Sequence, residues 1–182
     1  YKIGTNFVVI HPVSRWLFKC LPVSTMQQVI AYIINQGFQV VLTASADPKE
    51  MQINQSIAQG FREDYLIDLS GKLSLKELGA LMLRGKFLIC VDSLPLHLAS
   101  ALKTPVIAVF GPTSEKTWAP WRNPLARVVT QEYTCRPCYM PGCCHSGVSD
   151  CLETMEAGKI IEQMQKLLQS EIFSEVASPS LL

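Results

Sequence analysis

The sequence lacks the glycine-rich loops that bind phosphate in the commonest nucleotide-binding proteins. Its 182 residues contain no G-x-G-x-x-G fingerprint and no G-x-x-x-x-G-K-[ST] loop, so neither simple nicotinamide binding nor P-loop hydrolysis is indicated. A D-x-D pattern of the kind that binds a metal ion is also missing. Any nucleotide chemistry in this chain must therefore rest on other residues.

The sequence also lacks an excess of either charge and an apolar run long enough for a membrane span. Its 16 basic and 15 acidic residues give a net charge of +1, which predicts no strong attraction to nucleic acid or to an acidic membrane. The longest apolar runs are interrupted by Asp92, His97, Lys103 and Pro105, so no membrane span is predicted. Apolar residues make up 48% of the chain, which is normal for a globular core and excludes disorder for most of it.

The length allows one domain, or one domain with a small appendage. We predict a domain over residues 1–172, which includes a cysteine-rich loop at 133–152, followed by a loose tail over 173–182. Because the chain opens on Tyr1 rather than Met, and a strand-like run follows almost at once, we interpret it as a fragment of a longer protein.

Apolar strand patterns and helical patterns alternate along the first 111 residues. The predicted strands are 7–12, 38–44, 65–71, 86–92 and 105–111, with a helix between each pair. Ser24 or Thr25 is expected to cap the first helix, and Ser74 and Glu77 form a capping-box pattern. Residues 112–152 are expected to be mostly irregular and 155–168 to form a final helix. The pattern predicts an α/β fold with a doubly wound parallel sheet, covered on both faces.

Polar clusters follow four of the predicted strands, at the edge where parallel sheets bind ligands. In the cluster that begins at Asp92, a helix start could hold a phosphate through free backbone amides. Arg15 and Lys19 could add positive charge, and Asp92 could accept hydrogen bonds from sugar hydroxyls. These groups suit a nucleotide-sugar diphosphate. The residues alone leave open a simpler interpretation, in which Asp92 and Ser93 cap a helix and the cations are solvated.

Three segments, in order along the chain, resemble glycosyltransferase family 9, the ADP-heptose:lipopolysaccharide heptosyltransferases. They are HPVSRWLFKCLP (11–22), LIDLSGKLSLKELGALM (66–82) and DSLPLHLASALKTPVIAVFGPT (92–113). The sequence is most similar to the branch of this family that adds a third, side-branch heptose to the inner core of lipopolysaccharide. The resemblance implies a GT-B enzyme with two Rossmann-like domains, of which this chain is similar to the C-terminal, donor-binding half; the N-terminal acceptor domain is expected to be absent.

The resemblance implies a role for each residue that matches a family position. Ser14 and Lys19 match positions that contact the diphosphate, and Lys19 also contacts the heptose. Glu50 matches the acid that holds the ribose, and Asp92 the acid that binds heptose hydroxyls. The backbone of Leu73 is expected to meet adenine. The remaining matches form the turn and helix start at the diphosphate: Ser93, Leu94, Pro95 and His97.

Two positions depart from the family pattern. Leu94 stands where the family usually has glycine, which permits positive φ and a close approach of the backbone to phosphate. The diphosphate is therefore expected to sit differently. Leu21 stands where the family has tryptophan, which is expected to alter packing rather than chemistry.

The implied reaction is an inverting transfer of heptose from ADP-heptose to the lipopolysaccharide core, in the cytoplasm or at the inner face of the inner membrane. Backbone amides at a helix start and Lys19 would stabilise the departing diphosphate, so no cofactor is required. The resemblance places the catalytic base in the other domain, so this chain alone is expected to be inactive. Two alternatives stay open: an inactive accessory module that binds nucleotide sugar, and a different GT-B nucleotide-sugar enzyme such as an epimerase.

Five of the seven cysteines lie between residues 135 and 151. Cys135, Cys138, Cys143 and Cys151 form a candidate zinc site, because a Cys-x2-Cys pair with further thiols nearby suits tetrahedral coordination. Reduced thiols or a chance disulfide are the alternative. Trp118 and Trp121 could stack on a ligand, but a packing role is the favoured interpretation.

Overall fold

The computed structural model describes residues 2–170 as a parallel sheet with helices on both faces. Its strands are β1 (Phe7–His11), β2 (Gln39–Leu42), β3 (Leu66–Asp68), β4 (Leu88–Val91), β5 (Val106–Phe110) and β6 (Ala126–Thr130). Its α-helices are α1 (Val23–Asn35), α2 (Pro48–Ala58), α3 (Leu75–Arg84), α4 (Leu94–Leu102), α5 (Asp150–Glu153) and α6 (Ala157–Leu168). Two 3-10 turns cover Leu17–Lys19 and Cys143–His145.

Alternate residues of each central strand supply two separate hydrophobic cores. On β1, Val8 and Ile10 belong to the core beneath α1, α2 and α6, whereas Phe7 and Val9 belong to the core beneath α3 and α4. Because both faces are covered, the strands read as continuous apolar runs rather than as alternating ones. The doubly wound α/β fold predicted from the sequence is confirmed.

The strand order, β3-β2-β1-β4-β5-β6, reverses direction between β1 and β4. Ligands of doubly wound sheets bind outside the carboxyl ends of the strands at such a switch point. His11 at the end of β1 is in register with Cys90 near the end of β4, so the polar residues that follow these two strands meet at one edge. The topology therefore places the polar cluster that follows β1 beside the polar cluster that follows β4.

The sixth strand was not predicted, because residues 112–152 were expected to be mostly irregular. Residues Ala126–Thr130 pair with β5 along their whole length. As an edge strand, β6 buries only Val129 and has Arg127 as its second residue, so it lacks the continuous apolar run that marked the central strands. The short helix α5 also begins inside this segment and ends one residue beyond it.

The predicted cap of the first helix was wrong. Helix α1 begins at Val23 after Pro22, with no side-chain cap, and both Ser24 and Thr25 lie inside its first turn. Thr25 is buried, and its hydroxyl lies 3.5 Å from the carbonyl of Met155. The Ser74–Glu77 capping box, by contrast, is confirmed at the start of α3.

Within residues 2–170, no helix is both long and apolar enough to cross a membrane. The predicted tail over 173–182 lies outside the described residues, as do the last residues of the predicted domain.

Candidate functional site

A cavity of about 990 Å³ opens at the carboxyl ends of β1, β2 and β4. Its wall contains all nine residues singled out in the sequence as donor-binding. They are Ser14, Lys19, Glu50, Leu73, Asp92, Ser93, Leu94, Pro95 and His97. These residues come from four segments of the chain that are distant in sequence, and the fold brings them together. The exposed side chains of Arg15 and Trp16 also line this cavity.

An ion pair between Lys19 and Asp92 forms the floor of the cavity. Lys19 ends the 3-10 turn after β1, and its Nζ lies 2.8 Å from Oδ2 of Asp92, which directly follows β4. The two side chains are 16% and 6% exposed, so loss of either one would leave the other as an uncompensated buried charge. The hydroxyl of Thr113, after β5, donates to the same Oδ2 at 2.7 Å. Oδ1 is therefore the carboxylate oxygen of Asp92 that remains for a ligand.

The start of α4 offers two backbone amides to an anion. Ser93 is the N-cap, but its hydroxyl donates to the carbonyl of Val91 at 3.2 Å instead of capping the helix. Pro95 has no N–H, and the amide of Leu96 donates to the carbonyl of Ser93 at 3.1 Å. The first amides of a helix have no carbonyl partner within the helix. The amides of Ser93 and Leu94 therefore remain available to an anion.

Leu94 fits its position without backbone strain. It is the first residue of α4, and it is not among the described residues with positive φ. The conformational freedom of a glycine is therefore not used here. The side chain is 57% exposed and forms part of the cavity wall. Relative to the usual glycine, Leu94 therefore changes the volume of the cavity and not the backbone conformation.

Glu50 faces the cavity from the first turn of α2. Asp47 caps this helix by accepting from the amides of Lys49 and Glu50 at 2.8 and 3.3 Å. The carboxylate of Glu50 turns back to accept from the amide of Ser45 at 2.9 Å, and the residue is only 4% exposed. The cap and this hydrogen bond fix an acidic group at the carboxyl end of β2.

His11 is a buried, neutral histidine at the end of β1. Burial lowers the pKa of His11 from 6.5 to about 4, and its Nδ1 lies 3.0 Å from the Thr43 hydroxyl. His97 is exposed, and its ring centroid lies 6.2 Å from that of Trp118 across the cavity wall. Both histidines line the cavity, but His11 is buried and bound to Thr43, whereas the exposed ring of His97 is accessible to a ligand.

Neither tryptophan is buried within the described residues, so the packing role favoured for them stays a prediction. Trp118 is 47% exposed and lines the cavity, and Trp121 is 70% exposed. The guanidinium of Arg122 lies 5.3 Å from the ring centre of Trp121. Both rings therefore present apolar surface to solvent beside the site.

The candidate zinc site is not assembled in the described residues. Within 2–170, no group of three or more His, Cys, Asp or Glu side chains is placed to hold a metal ion, and the cysteines are free. Cys151 is nevertheless close enough to the other three for their charges to act on it. Its pKa is raised to about 11, chiefly by burial, and Cys138, Cys143 and Cys135 add to the effect.

A second cavity, of about 1040 Å³, lies against the edge strand β3. Its wall contains several glutamines, among them Gln52 and Gln55, and none of the predicted site residues. It is not at the switch point of the sheet, and neither the Lys19–Asp92 pair nor the start of α4 lines it.

Sequence comparison identifies relatives for most of the chain. The profile of a family described as glycosyltransferase family 9 (heptosyltransferase) matches residues 2–148. Lipopolysaccharide heptosyltransferase 3 of Escherichia coli is 37% identical over 131 residues, which are 72% of this chain and 38% of that protein. Lipooligosaccharide heptosyltransferase 2 of Campylobacter jejuni is 30% identical over 132 residues, 71% of this chain and 41% of that protein. The chain thus spans about two fifths of the length of these curated relatives.

Solved structures share the fold. The E. coli ADP-heptose lps heptosyltransferase II matches with a TM-score of 0.76 and 24% identity, over 90% of this chain and 46% of that chain. The E. coli heptosyltransferase WaaC with ADP matches with a TM-score of 0.72 and 21% identity, over 91% of this chain and 46% of that chain. At these identities the likeness concerns the fold, which is that of one half of a GT-B enzyme.

Proposed function

This chain belongs to glycosyltransferase family 9, the heptosyltransferases, and from that premise we propose that it is the donor-binding half of an inverting enzyme. The enzyme would move heptose from ADP-heptose to the inner core of lipopolysaccharide. The observation that carries the proposal is the cavity at the switch point of the sheet. It holds a buried acid, a lysine and a helix start within one wall.

The groups in the cavity match the parts of ADP-heptose. Lys19 and the amides of Ser93 and Leu94 supply positive potential for the diphosphate, with Ser14 beside them. Oδ1 of Asp92 accepts from heptose hydroxyls, because Oδ2 is already bound by Lys19 and Thr113. At the other end of the cavity, Glu50 accepts from the ribose hydroxyls and the backbone of Leu73 meets adenine.

The proposed reaction is a single displacement. A base outside these residues removes the proton of an acceptor sugar hydroxyl, and that oxygen attacks the anomeric carbon of heptose from the face opposite the diphosphate. The bond between the anomeric carbon and the diphosphate oxygen breaks, and ADP leaves with the electron pair. Nζ of Lys19 and the two amides stabilise the charge that grows on the leaving oxygen. The proposal assigns no role to a cofactor.

Isothermal calorimetry with ADP-heptose, ADP and a UDP-sugar tests this proposal on the 182-residue chain. We expect binding of the two adenine compounds and no binding of the UDP-sugar. A preference for the UDP-sugar would favour a different GT-B enzyme, and binding of ADP-heptose without transfer by the whole protein would favour an accessory module. Lys19→Ala and Asp92→Ala should each weaken binding of ADP-heptose, and unchanged affinity in both would reject the site.

Transfer by the chain alone provides a second test. Because the proposed base lies outside these residues, we expect no release of ADP when the chain is mixed with ADP-heptose and a heptose-deficient core acceptor. Turnover would show that a base is present within the chain.

The proposed acceptor, the lipopolysaccharide core, implies a cytoplasmic enzyme that works at the inner face of the inner membrane. Contact with the membrane would be peripheral, and the net charge of +1 gives no reason to expect a nucleic-acid partner. Fractionation of cells that express the tagged protein tests this location.

A further inference from the structure

We propose that Thr113 and Arg136 are positioning residues for the donor site, which they serve by fixing the carboxylate of Asp92. The inference rests on the proposed function, because it concerns how Asp92 is held for the heptose of the donor. Neither residue is in the cavity wall. Their effect would pass through one loop, residues 111–115, which follows β5.

Arg136 clamps this loop from the cysteine-rich segment. Its guanidinium donates to the carbonyl of Gly111, to the carbonyl of Thr113 at 3.3 Å, and to the carboxylate of Glu115 at 3.1 Å. The side chain is 8% exposed. A guanidinium with several fixed donors suits this arrangement, because one planar group binds separate acceptors at once.

The backbone beyond Arg136 completes the clamp. The amides of Cys138 and Tyr139 both donate to the carbonyl of Pro112, at 3.1 and 3.0 Å. Three consecutive carbonyls, 111, 112 and 113, are therefore bound from residues 136–139. On its other side, Gly111 is pressed against Leu152, since a Cβ built there would lie 2.5 Å from the leucine side chain. The loop thus has little freedom to move.

The clamped loop delivers the hydroxyl of Thr113 to Asp92. Thr113 is 6% exposed and donates to Oδ2 at 2.7 Å. Lys19 binds the same oxygen, yet the proposed reaction also needs Lys19 at the diphosphate. When Lys19 turns towards the donor, Thr113 remains to satisfy the buried carboxylate and to hold its orientation. A hydrogen bond to a charged group is stronger than one between neutral groups.

The test compares the affinities for ADP-heptose and ADP in matched variants, because ADP lacks the heptose that Asp92 would bind. Thr113→Val removes the hydroxyl and keeps the shape, whereas Thr113→Ser keeps the hydroxyl. We expect Thr113→Val to weaken the binding of ADP-heptose by about tenfold and to change the affinity for ADP by about twofold or less. Thr113→Ser should retain most of the wild-type affinity for ADP-heptose. Arg136→Gln should also lower the affinity for ADP-heptose relative to the affinity for ADP. Arg62→Gln, which removes an exposed ion pair with Asp64, is the control and should leave the ratio of the two affinities unchanged.

The outcomes separate this inference from the proposed function. If the wild-type chain binds neither ligand, the proposed function is wrong, and the inference fails with it. If the wild type binds ADP-heptose but Thr113→Val keeps the wild-type ratio of affinities, the inference alone is wrong. Equal losses for both ligands, with a lower melting temperature, would likewise show a purely structural role and overturn it.

Discussion

Lys19 and Asp92 are 73 residues apart in the sequence, and their charged atoms lie 2.8 Å apart at the floor of the cavity. One follows β1 and the other follows β4, the two strands between which the sheet reverses direction. A pair that is mostly buried is a poor source of net stability, but the loss of one partner leaves an uncompensated charge. The proposed role of the pair in binding the donor fits its position at the switch point of the sheet.

A double-mutant cycle tests the coupling of this pair. We expect Lys19→Ala and Asp92→Ala each to lower the free energy of unfolding by about 2–4 kcal/mol, and the double variant to lose clearly less than the sum. Urea unfolding followed by circular dichroism provides the measurement. The exposed pair Lys166–Glu162 is the control, and its cycle should give about 0.5 kcal/mol or less. Additive losses at Lys19 and Asp92 would contradict the coupling.

The alternation of apolar strands and polar clusters predicted Lys19 and Asp92 at one edge of the sheet, whereas the resemblance to glycosyltransferase family 9 supplied most of the other residues that line the cavity. The order of elements along the chain did not show that β1 and β4 are neighbours in the sheet, and Leu94 stood out only against the family pattern. Thr113 carried a weaker signal, as part of a polar cluster after β5. Arg136 carried none, because it lies in an irregular segment and binds mainly backbone carbonyls, which leave no mark in the side-chain pattern.

Leu94→Gly is expected to strengthen binding of ADP while weakening the helix. The exposed side chain fills part of the cavity beside the two available amides, so its removal lets a phosphate approach them more closely. The cost in stability should be about 1 kcal/mol. Leu83→Gly removes an equally exposed leucine from α3, away from the cavity, and should lower stability without a change in ADP affinity. Weaker ADP binding by Leu94→Gly would show that the leucine contributes contacts instead.

Ser74→Ala should destabilise α3 through loss of its cap. The hydroxyl of Ser74 accepts from the amide of Glu77, and the carboxylate of Glu77 accepts from the amide and hydroxyl of Ser74. These two hydrogen bonds to Glu77 lower its pKa. The free energy of unfolding should fall by about 1 kcal/mol. Ser56→Ala, in the interior of α2, removes only a hydroxyl that bonds to the carbonyl of Gln52 and should be close to neutral; equal losses would argue against the cap.

Alkylation of the cysteines should follow their exposure. Cys135 and Cys144 are exposed and should react first with iodoacetamide at pH 8, whereas Cys90 is buried and its pKa is raised by burial. The pKa of Cys20 is raised to about 11, chiefly by burial, which also slows its reaction. Mass spectrometry after timed quenching gives the order. Joint protection of Cys135, Cys138, Cys143 and Cys151, reversed by a chelator and matched by one zinc per chain in elemental analysis, would establish the metal site that the described geometry does not form.

His11 should make the protein less stable as the pH falls below 6.5. Its pKa is about 4 in the folded chain because burial disfavours the charged ring, whereas the unfolded chain has the ordinary value of about 6.5. Between these values the unfolded state binds more protons, so stability is complete above pH 6.5 and is lost as the pH falls towards 4. The loss at pH 4 amounts to about 3 kcal/mol. His11→Asn keeps a polar group near Thr43 and removes the titration. Urea unfolding at pH 7, 5.5 and 4 should therefore show a shallower fall in the variant, since the carboxylates titrate in both proteins and cancel in the difference. Parallel curves would mean that the His11 ring gains its proton in the folded chain as easily as in the unfolded one.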